Sequence, residues 1–169
     1  MTHDAHGKVP KPSPAESAEG PIDGPIIGGT DGPSDGPGDD RALVAHALAA
    51  QRRSYAPYSK FRVGAAVRMS GEIFEGANVE NASYGLSICA ERTAVFAAVI
   101  AGARQLDAVA VCTDSSPPSS PCGACRQVLL EFTANPSAVT VIAINPLGEQ
   151  RSWTLAELIP AGFSGRELP

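Results

Sequence analysis

The sequence predicts an α/β domain whose sheet is partly parallel. Two nearly continuous apolar runs of strand length, residues 106–113 and 139–144, indicate strands buried on both faces. Helical patterns at 88–101 and 123–132 alternate with these runs, and an alternating strand pair precedes them. Strands that alternate with helices are typical of a layered α/β architecture.

The first 40 residues differ in composition from the rest of the 169-residue chain. They carry eight acidic and two basic side chains, are rich in Gly and Pro, and repeat an Asp-Gly-Pro theme. Such a segment has too little apolar surface to offset the entropy of ordering, so residues 1–40 are predicted to form a disordered leader. Residues 41–169 are predicted to form one compact domain.

Charge and hydropathy argue against several classes of partner. The net charge of −5 comes from the leader, and the remainder is nearly neutral. It therefore lacks the basic stripe that binds nucleic acid, and a small uncharged substrate fits better. No apolar run has the length of a membrane span, and the N-terminus lacks the apolar stretch of a secretory signal. We expect a cytoplasmic protein with reduced thiols and no membrane partner.

The first half of the domain is predicted to contain one helix and a hairpin. The helix begins near Asp39 or Asp40, either of which could cap it. A Pro-containing turn at 55–59 leads to strands at 62–69 and 73–79, joined by a Ser-Gly turn. The apolar face of the helix is predicted to contain Leu43, Val44, Leu48 and Ala49.

The second half is predicted to alternate between helices and strands. A helix over 88–101 ends at Gly102, and a strand at 106–113 and a Ser/Pro loop at 115–120 follow it. A helix over 123–132 precedes the strand at 139–144. Residues 149–153 are expected to form a last strand, and 155–159 a short helix.

Three cysteines have the spacing of metal ligands. Cys89 opens one predicted helix, and Cys122 and Cys125 open another in a Cys-x-x-Cys pattern after Pro121. The positive end of a helix dipole favours thiolate, which is the metal-binding form. Zinc held by three protein ligands keeps a fourth position open for water, which is the mark of a catalytic site.

Two other interpretations of the cysteines are considered. Cys122 and Cys125 alone could be a redox pair, but this leaves Cys89 and Glu91 without a role. A structural zinc could recruit Cys112, although Cys112 lies in a predicted buried strand, where a small apolar residue is the ordinary occupant. A catalytic zinc is therefore favoured.

Glu91 lies two residues after the first cysteine, in the first turn of a predicted helix. A Glu there could simply interact with the helix dipole on a solvated face, which is worth only a few tenths of a kcal/mol. Beside a water activated by zinc, the same carboxylate is a general acid/base that accepts and returns a proton.

Five stretches of the chain resemble cytidine deaminase of the small, homotetrameric, zinc-dependent type, whose signature pairs a His or Cys ligand and a Glu with Pro-Cys-x-x-Cys. The similarity extends over roughly residues 42–163. The resemblance implies a three-layer α/β/α domain with a mixed five-stranded sheet. The stretches are YAPYSKF (55–61), VGAA (63–66), GANVENASY (76–84), ICAERTA (88–94) and SPCGACRQ (120–127).

The resemblance implies hydrolytic deamination of cytidine and 2′-deoxycytidine to uridine and 2′-deoxyuridine, with release of ammonia, as a step of pyrimidine salvage. Cys89, Cys122 and Cys125 would hold one zinc ion per subunit. Glu91 would carry a proton from the attacking water to ring N3 and then to the departing amine. Arg92 would donate to the sulfurs and withdraw part of their negative charge.

The resemblance also implies a set of substrate-binding residues and a homotetramer with active sites near subunit interfaces. Asn78 and Glu80 would hold the ribose 3′-hydroxyl, and Phe163 would come from a neighbouring subunit to stack near the base. The Ala90 N–H and Glu91 would recognise the base edge, and the Ser120 carbonyl would accept from the amine. The full set is Phe61, Asn78, Val79, Glu80, Tyr84, Ala90, Ser120 and Phe163.

Three further functions stay open on the sequence alone. A related deaminase could act on a nucleoside antibiotic, although Asn78 and Glu80 favour a ribose. Editing of a polynucleotide is disfavoured by the nearly neutral domain. A structural zinc module that mediates protein contacts would have four protein ligands, and it leaves Glu91 unexplained.

Overall fold

The computed structural model describes residues 40–167. The predicted disordered leader lies outside this range, except for Asp40, which is the first residue of a helix. Four helices and five strands follow one another, with three short 3₁₀ turns at Tyr84–Leu86, Pro136–Ala138 and Gly165–Glu167. The elements are α1 (Asp40–Gln51), β1 (Val63–Met69), β2 (Glu72–Ala77), α2 (Ala90–Ile100), β3 (Leu106–Thr113), α3 (Gly123–Glu131), β4 (Thr140–Ile144), β5 (Gln150–Thr154) and α4 (Leu155–Leu158).

The five strands form one mixed sheet in the order β2-β1-β3-β4-β5. β3 and β4 are parallel, and α3 lies between them in the chain. The other neighbouring pairs are antiparallel, beginning with the β1–β2 hairpin. The α/β class with a partly parallel, five-stranded sheet is thus confirmed.

Helices cover both faces of the sheet, which gives the three layers that the resemblance implies. On one face, α1 packs through Leu43 and Ala47 against small and branched residues of β1, β3 and β4. On the other face, α2 and α3 contribute Val95 and Leu129 to the larger of the two cores. The strands β3 and β4 are buried on both faces, as their continuous apolar runs predict.

The buried face of α1 differs from the predicted one. Ala47, Ala50 and Gln51 are buried with Leu43, whereas Ala49 is exposed, and Val44 and Leu48 are only partly buried. The reason is a close backbone approach at Gly64, where an added Cβ would lie 2.2 Å from the Gln51 nitrogen. The helix therefore presents small residues to β1 beside Leu43, and Val44 and Leu48 lie at the margin of the contact.

Several element ends also differ from the predicted ones by one or two residues. The second strand ends at Ala77, because Val79 forms only isolated bridges with Tyr55 and Ile88. The following helix begins at Ala90, with Cys89 as its N-cap. Within residues 40–167, no helix is long and apolar enough to cross a membrane.

Candidate active site

Three sulfur atoms meet where two helices begin. Cys89 is the N-cap of α2, Cys122 is the N-cap of α3, and Cys125 lies in the first turn of α3. The Cys122 and Cys125 sulfurs are 3.5 Å apart, those of Cys89 and Cys122 are 4.0 Å apart, and all three lie within 4.8 Å of one another. Zinc–sulfur bonds of about 2.3 Å in a tetrahedron place sulfurs about 3.8 Å apart, so this set of donors fits one zinc ion.

The charges around the sulfurs favour thiolate at Cys89. A hydrogen bond from Cys125 outweighs burial and, with donation from Arg92, lowers the pKa of Cys89 to about 5. The same Cys125–Cys89 hydrogen bond, followed by burial, raises the pKa of Cys125. The site thus favours thiolate at Cys89, and a cation that binds the cluster displaces the protons that the sulfurs still hold.

Arg92 lies beside this cluster and donates from Nη2 to Cys89 Sγ over 3.3 Å. Its Nε is buried and has no hydrogen-bond partner among the described residues. The guanidinium places positive charge against a sulfur that would otherwise add to a negative site. This contact agrees with the role that the resemblance implies for Arg92.

Glu91 is buried at the second position of α2, with a relative exposure of 4%. Burial is the main cause that raises the pKa of its carboxyl, and the charge of Cys89 adds to it. A solvated carboxylate on a helix surface would be exposed, so the interpretation of Glu91 as a helix-dipole partner on a solvated face is wrong. A buried carboxyl beside a cluster of metal-binding sulfurs can both hold and release a proton.

Cys89, Cys122 and Glu91 line a cavity of about 570 Å³. Most of the residues assigned from the resemblance line it, as do several that were not assigned. The predicted lining residues are Phe61, Asn78, Glu80, Tyr84, Cys89, Ala90, Glu91, Ser120 and Cys122. The others are Tyr58, Ser59, Val63, Ser87, Ile88, Val111, Thr113 and Ser119.

Two of the predicted substrate-binding residues do not line this cavity. Val79 is exposed, and its backbone exchanges hydrogen bonds with Ile88. Phe163 is 57% exposed near the C-terminus, where its carbonyl accepts from Gln127 Nε2. Cys125 and Arg92 also do not line the cavity, although both contact Cys89.

Asn78 is held at the cavity by three hydrogen bonds. Its Oδ1 accepts from Ser54 Oγ over 2.5 Å and from the Val63 N–H over 2.8 Å, and its Nδ2 donates to the Phe61 carbonyl over 2.9 Å. The backbone partners fix the orientation of the amide, because an N–H must face the oxygen and a carbonyl must face the nitrogen.

Glu80 is held at the cavity by the turn before β1. Its Oε2 accepts from the backbone N–H groups of Tyr58 and Ser59 over 2.9 and 3.2 Å, and its Oε1 accepts from Ser59 Oγ. Burial acts to raise the pKa of the Glu80 carboxyl, but the hydrogen bonds from Ser59 and Tyr58 and the charge of Lys60 outweigh it and lower that pKa. Glu80 is therefore ionised at neutral pH.

Some of the unassigned lining residues have a clear sequence signal and others have none. Tyr58 belongs to the predicted Pro-containing turn, and its ring packs edge to face against Tyr84 with centroids 6.1 Å apart. Thr113 is the last residue of an apolar strand, so no sequence pattern marks it as a polar residue of the cavity wall. Its Oγ1 accepts from the Ser119 N–H over 3.2 Å and holds the loop that leads to Cys122.

Cys112 is fully buried in the core on the α1 side of the sheet. Burial raises the pKa of its thiol to about 11, which keeps it protonated. The cluster of potential metal ligands found within residues 40–167 contains only the other three cysteines. The alternative of a structural zinc with Cys112 as fourth ligand is therefore wrong.

Comparisons of this chain with a family model, with related sequences and with solved structures all indicate the same family. The family model described as "Cytidine and deoxycytidylate deaminase zinc-binding region" matches residues 37–142. A cytidine deaminase of Halalkalibacterium halodurans is 44% identical over 131 residues, which is 77% of this chain and 98% of that protein.

Solved structures give the same result. The crystal structure of cytidine deaminase from Burkholderia pseudomallei aligns with a TM-score of 0.68 and 47% identity, over 72% of this chain and 97% of that one. The enzyme from Mycobacterium tuberculosis aligns with a TM-score of 0.64 and 38% identity, over 75% of this chain and 98% of that one. The similarity therefore includes both the sequence and the arrangement of its elements.

Proposed function

Since the chain belongs to the family of zinc-binding cytidine and deoxycytidylate deaminases, we propose that it hydrolyses cytidine and 2′-deoxycytidine to uridine and 2′-deoxyuridine plus ammonia. One observation carries this proposal: a buried carboxyl and two cysteines of the three-sulfur cluster line the same cavity as an ionised carboxylate and a fixed amide. The buried carboxyl and the sulfurs suit chemistry on the base, and the ionised carboxylate and the amide suit recognition of a hydroxyl. The reaction is a step of pyrimidine salvage.

The metal is held by Cys89, Cys122 and Cys125, one ion per subunit. Zinc with three protein ligands acts as a Lewis acid that makes a water molecule nucleophilic near neutral pH. Arg92 donates to Cys89 and limits the negative charge that the sulfurs bring to the site.

Glu91 moves the protons. Its carboxylate accepts a proton from the water that attacks C4 of the cytosine ring, and it delivers that proton to N3. It then carries the hydroxyl proton to the amino group, the C4–N bond breaks, and ammonia leaves. Burial suits Glu91 to this exchange, because it raises the pKa of the carboxyl toward neutrality.

The remaining lining residues orient the nucleoside. The Ala90 N–H and Glu91 face the edge of the base, and the Ser120 carbonyl accepts from the amine. Phe61 and Tyr84 form apolar wall, while Asn78 and Glu80 bind the ribose 3′-hydroxyl. Val79 lies between Asn78 and Glu80 in the chain and belongs to the same substrate-binding segment.

Assembly as a homotetramer completes the site. Phe163, Tyr84 and Leu86 are 57%, 76% and 67% exposed and are therefore accessible to a neighbouring subunit. A neighbouring subunit that covers them would bring its own Phe163 to the base. The protein acts in the cytoplasm on free nucleosides and binds neither polynucleotide nor membrane.

The proposal is tested by an ultraviolet assay of cytidine turnover on the zinc-loaded protein. We expect loss of the cytidine absorbance, matched by release of ammonia, and loss of turnover after chelation. Added zinc should restore it. Absence of turnover in protein that contains one zinc per chain would contradict the proposal, as would turnover that survives complete removal of the metal.

A further inference from the structure

A short segment of the cavity rim, residues 54–59, lies alongside the end of the β1–β2 hairpin. The Tyr55 N–H donates to the Asn78 carbonyl over 3.0 Å, and the Glu80 N–H donates to the Tyr55 carbonyl over 2.8 Å. This pairing places Ser54 beside Asn78 and Ser59 beside Glu80. Asn78 and Glu80 thus each have one serine of this segment as a partner.

The hydrogen-bonding groups of Asn78 leave one free donor. A side-chain amide has two N–H groups and two acceptor positions on its oxygen. Ser54 and the Val63 N–H occupy both positions on Oδ1, and the Phe61 carbonyl takes one N–H of Nδ2. Asn78 can therefore offer a ligand one N–H donor, and it has no acceptor to offer.

The same count leaves Glu80 with one free acceptor. An ionised carboxylate has about four acceptor positions. Tyr58 and Ser59 fill the two on Oε2 through their N–H groups, and Ser59 Oγ fills one on Oε1. Asn78 and Glu80 thus present one donor and one acceptor between them, which together match a single hydroxyl group.

We propose that Ser54 is a positioning residue that supports sugar specificity, because its hydroxyl fills the second acceptor position on Asn78 Oδ1 and adds a third anchor to the amide that Val63 and Phe61 orient. A sugar hydroxyl then accepts from Asn78 and donates to Glu80. A sugar without that hydroxyl leaves a donor and a charged acceptor unpaired. This inference depends on the proposed deamination of a nucleoside, and it assigns a part in the selection of the sugar to a residue that does not line the cavity.

The test compares two substrates, cytidine and 3′-deoxycytidine, on zinc-loaded wild-type protein and three variants. We expect Ser54→Ala to reduce the ratio of their kcat/KM values about 3- to 10-fold, the effect of one neutral hydrogen bond. The loss should lie in KM for cytidine, with 3′-deoxycytidine little changed. Ser54→Thr keeps a hydroxyl and should restore the ratio. Ser152→Ala, an exposed serine on β5, is the matched control.

The outcomes separate the inference from the proposed function. A wild-type protein that does not deaminate cytidine would contradict the function itself. An active wild-type protein would contradict the inference alone if Ser54→Ala slows both substrates equally, or if Ser54→Thr behaves as Ser54→Ala. Zinc content and the unfolding midpoint, measured for each variant, identify any general loss of structure. If the Ser54→Ala protein does not fold, the test uses Ser54→Thr instead. Its ratio of kcat/KM values for the two substrates must equal that of the wild type.

Discussion

At the scale of single residues, the site depends on where two acids are placed. Glu91 is buried beside the sulfurs and its pKa is raised, whereas Glu80 is held by N–H and hydroxyl donors and its pKa is lowered. Two residues of the same type are thereby given different roles by their surroundings. In the proposed mechanism, Glu91 exchanges protons with the base, and Glu80 stays charged to bind a sugar.

Glu91→Gln tests the first of these roles. The amide preserves size and leaves the three sulfurs in place, but it cannot accept a proton. We expect turnover of cytidine to fall by about 10²- to 10⁴-fold, the usual contribution of general acid–base catalysis. The measurement is kcat, together with metal content and circular dichroism.

The matched control for that change is Glu131→Gln, an exposed acid at the end of α3. It should retain wild-type turnover. If Glu91→Gln binds zinc, folds normally and still works at more than a tenth of the wild-type rate, the proton route through Glu91 is wrong.

At the scale of secondary structure elements, the contact of α1 with β1 depends on the absence of a side chain. A Cβ at Gly64 would lie 2.2 Å from the Gln51 nitrogen and 2.3 Å from the Ala47 carbonyl oxygen. Both are backbone atoms of the helix, so a rotamer change cannot relieve the clash. The helix and strand would have to separate.

Gly64→Ala should therefore destabilise the protein by about 1–3 kcal/mol or more, as overpacking of a tight contact does. Urea denaturation measures the free energy of unfolding. Gly85→Ala is the control, because Gly85 has open space around it and an ordinary φ. Equal unfolding midpoints for the two variants would show that α1 does not lie as close to β1 as described.

The sequence predicts elements better than it predicts contacts. Buried strands such as β3 are recognisable because both faces must be apolar, and the three cysteines are recognisable because metal ligands need particular side chains. The buried face of α1 could not be predicted, because it depends on the approach at Gly64, which is a tertiary contact. The hydrogen bonds of Ser54 to Asn78 and of Thr113 to the Ser119 N–H depend on how the loops fold, and no local sequence pattern marks either residue.

At the scale of the whole molecule, a zinc ion held by the cluster of sulfurs would join α2 to α3. These helices stand before and after β3, so the metal links parts of the chain that are 33 residues apart at Cys89 and Cys122. A ligand that binds only the folded protein stabilises it by mass action. The metal is therefore part of the fold as well as of the chemistry.

Removal of zinc should lower the unfolding temperature, and its return should restore it. The measurement is a thermal melt of the full chain before and after dialysis against a chelator, with turnover followed in parallel. Cys112→Ala should retain the same metal-dependent shift, since Cys112 lies outside the cluster. A melting temperature that does not respond to the metal would show that the ion contributes nothing to folding.

The N-cap positions of α2 and α3 have a consequence for the metal-free protein. Cys89 and Cys122 stand where Ser, Thr, Asp or Asn usually accepts a hydrogen bond, and neither side chain caps its helix. Each substitution of a good cap costs about 1 kcal/mol, so the first amides of both helices lack a side-chain partner. A chain without the bound ion also lacks the stabilisation that the ion gives these two helix starts, so we expect amide exchange there to be faster in the metal-free protein than in the zinc-loaded protein.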